Sequence, residues 1–365
     1  MLYEPFWSGR RVLVTGHAGF KGTWLCAWLT ALGAEVTGVG LVGKEGPSLL
    51  DATGLSTRMQ TYEVDVRDGE LVHRIAEAAA PEILFHLAGQ ALLLEGVRDP
   101  LATLSANIMG TAHLLEMVRH TPSVRGVVVV TSDKCYRDPT QACDEDAPLG
   151  GLEPYGASKA CAEIVTAAYR RTYLAQAGVG VATARAGNVI GGGDMAADRL
   201  VPDLVRAWQA GRPAVLRQAG GIRPWQHVLD ALSGYLLLAQ RLIQDPGRFA
   251  GPWNFGPDGE EVVTVSEIAA EFHKAIGGGR ALHAVEPARH DTPILRLSSA
   301  RARRRLGWAP QLTAAEAVRW AAEGYRRLLR DGEGGWIEEQ IERYTARLAA
   351  PEQPRGKREV GYAHA

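Results

Sequence analysis

The sequence predicts an α/β protein: a Rossmann-like, doubly wound parallel sheet followed by a smaller C-terminal domain. Three observations point there. Short apolar runs alternate with longer amphipathic ones from Arg11 to about Val130, the signature of successive βαβ units. A glycine-rich turn follows the first of those runs. The valine run in "VVVVTSDKCYRD" ends in an acid beside an amine, Asp133-Lys134, where open α/β sheets collect their functional groups.

Each element has its own reason. "RVLVTG" reads as the first strand. "KGTWLCAWLTALG" reads as the first helix, because Leu25, Trp28, Leu29 and Leu32 share a face and Gly33 stops it. "EVTGVGL" is the next strand, and a third short strand precedes "DVRD". Then come "ELVHRIAEAAA" (helix), "EILFHLAG" (strand), "NIMGTAHLLEMVRHT" (helix) and "GVVVVTS" (strand). The helix from "PYGASKACAEIVTAAYRRTYLAQAG" leads into the strand "VGVATARAGNVIG". Beyond Gly191 glycine and proline break the alternation into shorter pieces. The expected division is a first domain over 1–190 with a return segment near 222–245, and a second domain over most of 191–350. Ile337, Ile341, Tyr344 and Leu348 mark one helical stripe, whereas 351–365 lack periodicity and read as a disordered tail.

Bulk properties exclude several classes. With 365 residues the chain can bury a large core. A net charge of −1 gives no general affinity for nucleic acid or anionic membrane. No apolar run reaches the length of a membrane span, and the start lacks a secretion signal. Cys26, Cys135, Cys143 and Cys161 form neither C-x-x-C pairs nor a disulfide framework. The simplest compartment is a reducing cytoplasm.

"VTGHAGFKG" places Gly16, Gly19 and Gly22 in a G-x-x-G-x-x-G spacing between the first strand and helix. The glycines serve a tight turn, backbone approach to a pyrophosphate and close helix–strand packing. The helix start supplies N–H donors and a positive dipole end. After the second strand, where NAD enzymes usually carry a ribose-binding acid, this chain reads "GVGL". Asp65 is either an adenine contact or a solvated loop charge.

Tyr155 and Lys159 in "YGASK" share a helix face. An ordinary phenol, with a pKa of about 10, is a poor base at neutral pH. A nearby ammonium and an oxidised nicotinamide would both favour the phenolate, making it a base for alcohol oxidation.

Together these motifs resemble the extended short-chain dehydrogenase/reductase family, which acts on nucleotide sugars. The resemblance runs from about Phe6 to Trp308. It rests on "VTGHAGFKG", "PSLL", "TSDKCY", "PYGASKACAE", "RAGNVIGGGD", "DRLVPD" and "RPWQHVLDALSGYLLLAQ", followed by "WNFGP" and "LGWAP". It implies NAD held by Gly16, Gly19, Phe20, Gly22, Asp65, Val66, Leu87, Ala88, Asn107, Tyr155 and Lys159. It implies catalysis by Thr131, Asp133, Lys134, Tyr155 and Lys159, and substrate contacts from Asn188, Arg199, Arg223 and His290. Dehydratases of the family acting on CDP-linked glucose carry Asp-Lys where others carry Asp-Glu. The implied reaction is therefore a 4,6-dehydration of a CDP-hexose, with oxidation at carbon 4 and loss of water across carbons 5 and 6. Helices near Asn107–His120 and Gly156–Gln176 match those that build the family's dimers, which implies a homodimer.

One loop departs from the pattern. Leu94 stands for an arginine and Gly96-Val97 for a Ser-Tyr pair, while Met195 replaces a usual tryptophan. Three readings stay open: a dehydratase of a CDP-hexose, an epimerase or dehydratase of another nucleotide sugar, and a non-catalytic nucleotide-binding protein. His86, Trp24 and Trp28 read as structural residues.

Overall fold

The computed structural model describes residues 4–43, 48–257, 263–284 and 293–350. Strand β1 (Arg11–Thr15) leads through the glycine turn into helix α1 (Phe20–Ala31), then β2 (Glu35–Gly40) and β3 (Gln60–Glu63). Helix α2 (Gly69–Ala79), β4 (Ile83–His86), α3 (Gly110–Arg119) and β5 (Gly126–Val130) follow. Next are α4 (Pro154–Tyr169), β6 (Gly180–Ala186), α5 (Leu200–Gln209), α6 (Val228–Gln244) and β7 (Gly251–Phe255). Three long helices close the chain: α7 (Val265–Ile276), α8 (Ala314–Asp331) and α9 (Trp336–Ala349).

One seven-stranded sheet has the order β7-β6-β5-β4-β1-β2-β3, every pair parallel. The order reverses between β1 and β4, which opens a crevice at their carboxyl ends. Strands β4, β5 and β6 are buried along their whole length, whereas the edge strand β3 is exposed throughout. Central strands covered on both faces explain the unbroken apolar runs. Local signals fix the helix ends. Leu32 caps α1 and Gly33 leaves it at φ +80°, Asp68 accepts from Leu71 N–H to start α2, and Glu153-Pro154 start α4.

Strand β7 was not expected from the sequence. "GPWNF" is short and bounded by glycine and proline, and only its parallel pairing with β6 makes it a strand. Helix α6 packs against β5 and β6. Helix α9 packs on α1: its Ile337, Ile341 and Tyr344 are buried and Leu348 packs on the same core. Trp336 meets Trp24 edge-on at 5.3 Å and Tyr344 meets Trp28 at 5.6 Å. A separate apolar cluster joins α5, α7 and α8, including Leu204, Phe272 and Tyr325. We therefore propose a smaller unit around that cluster, with α9 packed on the first unit. The expected tail, 351–365, lies outside the described residues.

Asp230 of α6 is buried beneath α9 and accepts from Tyr344 Oη at 2.7 Å and from Gln311 N–H at 2.6 Å. Burial pushes its carboxyl up to about 6. Between an ordinary carboxylate value and 6, the folded state holds a proton that the unfolded chain has released, so stability falls as pH rises. Asp230→Asn has no such titration. Urea unfolding at about pH 4 and about pH 7.5 is expected to show the wild type losing about 2 kcal/mol relative to Asp230→Asn across that interval.

Candidate active site

At the end of β1 the chain turns through Gly16 at φ +74°. A Cβ there would lie 2.6 Å from Ala88 N, and one on Gly22 would lie 2.0 Å from the Gly16 carbonyl oxygen. Neither position has room for a side chain. Gly19 caps α1 without any side-chain acceptor, leaving the first N–H groups to an anion. Phe20 lines the adjoining cavity. Leu87 N–H donates to Thr15 O and Ala88 N–H to Thr15 Oγ1, strapping the exit of β4 to β1. This cradle fits a dinucleotide pyrophosphate.

The two glycines of "GVGL" at the end of β2 have a steric reason. A Cβ on Gly38 would lie 2.5 Å from the His17 ring, and one on Gly40 would lie 3.1 Å from Gly16. Asp65 is gripped by Arg67, whose Nη2 lies 2.5 Å away and whose hydrogen bonds hold the carboxyl below its ordinary range. Val66 is buried against Gly110. Asn107 sits in a widened helical turn, Ser105–Met109. Its amide accepts from Gln90 N–H at 2.8 Å and donates to Gln90 O and Ser158 Oγ. It therefore braces the loop after β4. His86 bonds Thr15 Oγ1 at 2.7 Å and Thr111 Oγ1 at 3.1 Å, and burial lowers its pKa to about 3. It is structural, and Trp24 and Trp28 are core.

Thr131, expected to assist Tyr155, lines the same cavity as Tyr155, and its Oγ1 donates to Glu163 Oε1 at 2.5 Å. The hydroxyl that acts on the Tyr155 phenol, drawing its pKa down against burial, belongs to Ser132. The backbone of Ser132 is extended, φ −156° and ψ 155°, so neighbouring side chains leave on opposite sides. That alternation was the available signal. Ser132 Oγ also accepts from Lys134 N–H at 3.2 Å and donates to Asp133 Oδ1 at 3.1 Å. Asp133 opens a short 3₁₀ turn, Asp133–Cys135, and its Oδ2 is buried without a partner among the described residues. Gly156 brings α4 against this turn: a Cβ there would lie 2.7 Å from Lys134 O.

Burial governs the charges. It raises the Asp133 carboxyl above its ordinary value, against the pull of Lys134, Arg223 and Lys21. A carboxyl so placed holds its proton more readily, which suits an acid. Burial also raises the Tyr155 phenol to about 12, opposed by the Ser132 hydroxyl and by Arg199. Lys159 falls to about 8 through burial, although Glu163 pulls the other way. Its Nζ donates to Val130 O at 3.2 Å. In the protein alone desolvation outweighs the charge effect expected for the Tyr155–Lys159 pair.

Ser132, Asp133, Lys134, Tyr155, Asn188, Arg199 and Arg223 line one cavity of about 330 Å³. Asp194 fixes Arg199 at 2.8 Å. Arg223 donates to Ile222 O and Pro293 O. Lys21, given no role from the sequence, also lines this cavity, and burial lowers its pKa to about 8. The divergent loop forms a short helix, Leu93–Arg98, and Leu92, Leu93 and Leu94 face the same cavity. A Cβ on Gly96 would lie 3.3 Å from Tyr155 Cβ, so a small residue suits that place. Met195 is exposed. His290 lies outside the described residues.

The model of the NAD dependent epimerase/dehydratase family matches residues 12–250. CDP-glucose 4,6-dehydratase of Salmonella typhimurium is 42% identical over 332 residues, covering 88% of this chain and 92% of that protein. The Streptomyces venezuelae dTDP-glucose 4,6-dehydratase, solved with NAD and TYD bound, superposes with a TM-score of 0.74 at 25% identity over 88% of this chain and 99% of its own. UDP-glucose 4-epimerase of Thermus thermophilus, solved with NAD, gives 0.74 at 26% identity, covering 87% and 99%. With the glycine cradle, the Ser132–Tyr155 contact and these likenesses agreeing, the chain belongs to the NAD dependent epimerase/dehydratase family.

Proposed function

We propose that this protein is an NAD-dependent CDP-glucose 4,6-dehydratase, forming CDP-4-keto-6-deoxyglucose. One observation carries the reading: Asp133, its carboxyl raised by burial, stands with Lys134 beside the Ser132–Tyr155 pair in one cavity. A 4-epimerase needs no second acid/base pair, because it expels no water. The 42% identical Salmonella protein bears the same name as the proposed activity.

NAD, when bound, supplies a two-electron acceptor that can give back what it takes. Gly16, Gly19 and Gly22 would hold its pyrophosphate. Tyr155 Oη takes the proton of the carbon 4 hydroxyl, and Ser132 Oγ steadies the phenolate by turning its one proton from Asp133 Oδ1 to Oη. Lys159 stands beneath with its ammonium on Val130 O. The resulting ketone acidifies carbon 5. Lys134 Nζ accepts that proton, and Asp133 gives its own to the hydroxyl leaving carbon 6. Arg199 and Arg223 take the diphosphate oxygens, since guanidinium groups pair with them bidentately.

The same reading covers assembly and place. Met109, Ile164 and Tyr173 are exposed on the helices expected to form a dimer, and we propose a homodimer through them. Four free thiols suit a reducing cytoplasm. Among the described residues no helix is long and apolar enough to cross a membrane.

Incubation with NAD and CDP-glucose deuterated at carbon 4 is expected to yield a product lighter by one water with the label at carbon 6, read by mass spectrometry. Sugar interconversion without water loss would instead establish an epimerase. Ser132→Ala is expected to lower kcat about 100-fold with KM nearly unchanged, a typical scale for proton-transfer machinery. In sedimentation velocity the wild type should run as a dimer and Ile164→Lys as a monomer.

A further inference from the structure

Behind the cavity lies a buried carboxylate that the proposed mechanism does not use. Glu163 stands one helical turn after Lys159 on α4 and is held face to face by Arg185 of β6. Arg185 Nε reaches Oε1 at 2.9 Å and Nη2 reaches Oε2 at 2.8 Å. Thr131 Oγ1 donates to Oε1 at 2.5 Å and Thr183 Oγ1 to Oε2 at 2.7 Å. Four donors thus saturate one carboxylate, and all the residues concerned are buried. The rest of Arg185 is equally committed: Nη1 donates to Tyr136 Oη at 2.8 Å and to Glu145 O, and Tyr136 Oη donates to Asn254 Oδ1.

We infer that Glu163 is a positioning residue for the Tyr155–Lys159 pair, fixing the end of β5 through Thr131 from its place one helical turn after Lys159. This inference rests on the dehydratase reading only for its kinetic consequence.

The geometric half follows from alternation. With Thr131 tethered to Glu163, the next residue must turn its hydroxyl the other way, onto Tyr155. The tether therefore sets the register of the Ser132–Tyr155 contact without touching substrate. The electrostatic half follows from the surroundings of Lys159. The groups acting on it are Glu163 of its own helix, Cys135 of the turn after β5, His86 at the end of β4 and Lys21 at the start of α1. Glu163 is the one carboxylate among them. Burial alone drives this amine toward its neutral form, and Glu163 opposes that drift. A buried pair left with one member is strongly destabilising, so the carboxylate and Arg185 form one unit.

The test reads the ionisation of Lys159 directly, by NMR titration of isotope-labelled lysine side chains with the resonance assigned by its loss in Lys159→Arg. No substrate is needed, so the outcome is independent of whether CDP-glucose is turned over. In Glu163→Gln the amine pKa is expected to fall by about one unit, the scale for losing a neighbouring opposite charge. Glu163→Asp should restore most of it. If Glu163→Gln does not fold, the doubly neutral Glu163→Gln, Arg185→Gln variant leaves no unpaired charge and should show a fall in the same direction but smaller, because a guanidinium is lost with the carboxylate. An unchanged pKa in either folded variant overturns the electrostatic half. For the geometric half, isosteric Thr131→Val should fold normally and lower kcat about tenfold with KM unchanged; a wild-type kcat overturns it. In Glu163→Gln the alkaline limb of the kcat profile should move to lower pH with the amine, which a purely structural loss would not produce.

Discussion

Two consecutive hydroxyls at the end of one buried strand leave the backbone in opposite directions, and most of the site depends on that divergence. Thr131 goes back into the protein, to the Glu163–Arg185 pair. Ser132 goes forward, to Tyr155 and to the turn that carries Asp133 and Lys134. A shift of one residue in β5 would exchange the two faces. Such a shift is prevented by parallel pairing on both sides, with β4 and β6. Sheet register, an element of fold, thereby fixes a chemical contact.

The same strand ends explain why cofactor cradle and acid/base cluster stand together. The sheet reverses its order between β1 and β4, and the crevice there receives the loops after β1, β4 and β5. Glycine at positions 16 and 22 lets α1 approach β1 within backbone contact. Gly156 likewise lets α4 touch the Lys134 carbonyl. Close backbone approach, more than any side chain, decides how small the distances in the site become.

Once these groups are crowded together, removal of water dominates their ionisation. Asp133, Tyr155, Lys159 and Lys21 all move toward their neutral forms, and burial is the leading cause for each. An acid and an amine side by side in water would simply ionise each other. Inside this cavity the carboxyl is pushed toward holding its proton. Ligand binding acts on groups already held close to exchange, a general feature of sites that move protons.

Much of this was legible in the residues themselves. Alternating apolar and amphipathic runs gave the parallel sheet, because local period and burial are properties of short segments. The spacing of Gly16, Gly19 and Gly22 placed the cradle, since one turn of chain contains it. Tyr155 and Lys159 were visible as an i, i+4 pair. Strand β7 was not visible, because "GPWNF" is a strand only by pairing with β6. The action of Ser132 on the Tyr155 phenol, the entry of Lys21 into the cavity and the burial of Glu163 against Arg185 also needed the folded chain. Each depends on which way a side chain points relative to residues far away in sequence, and linear spacing does not carry that direction. Residue types and their periods settled which chemistry the chain contains; packing alone settled which hydroxyl meets the phenol and which charges lose their water.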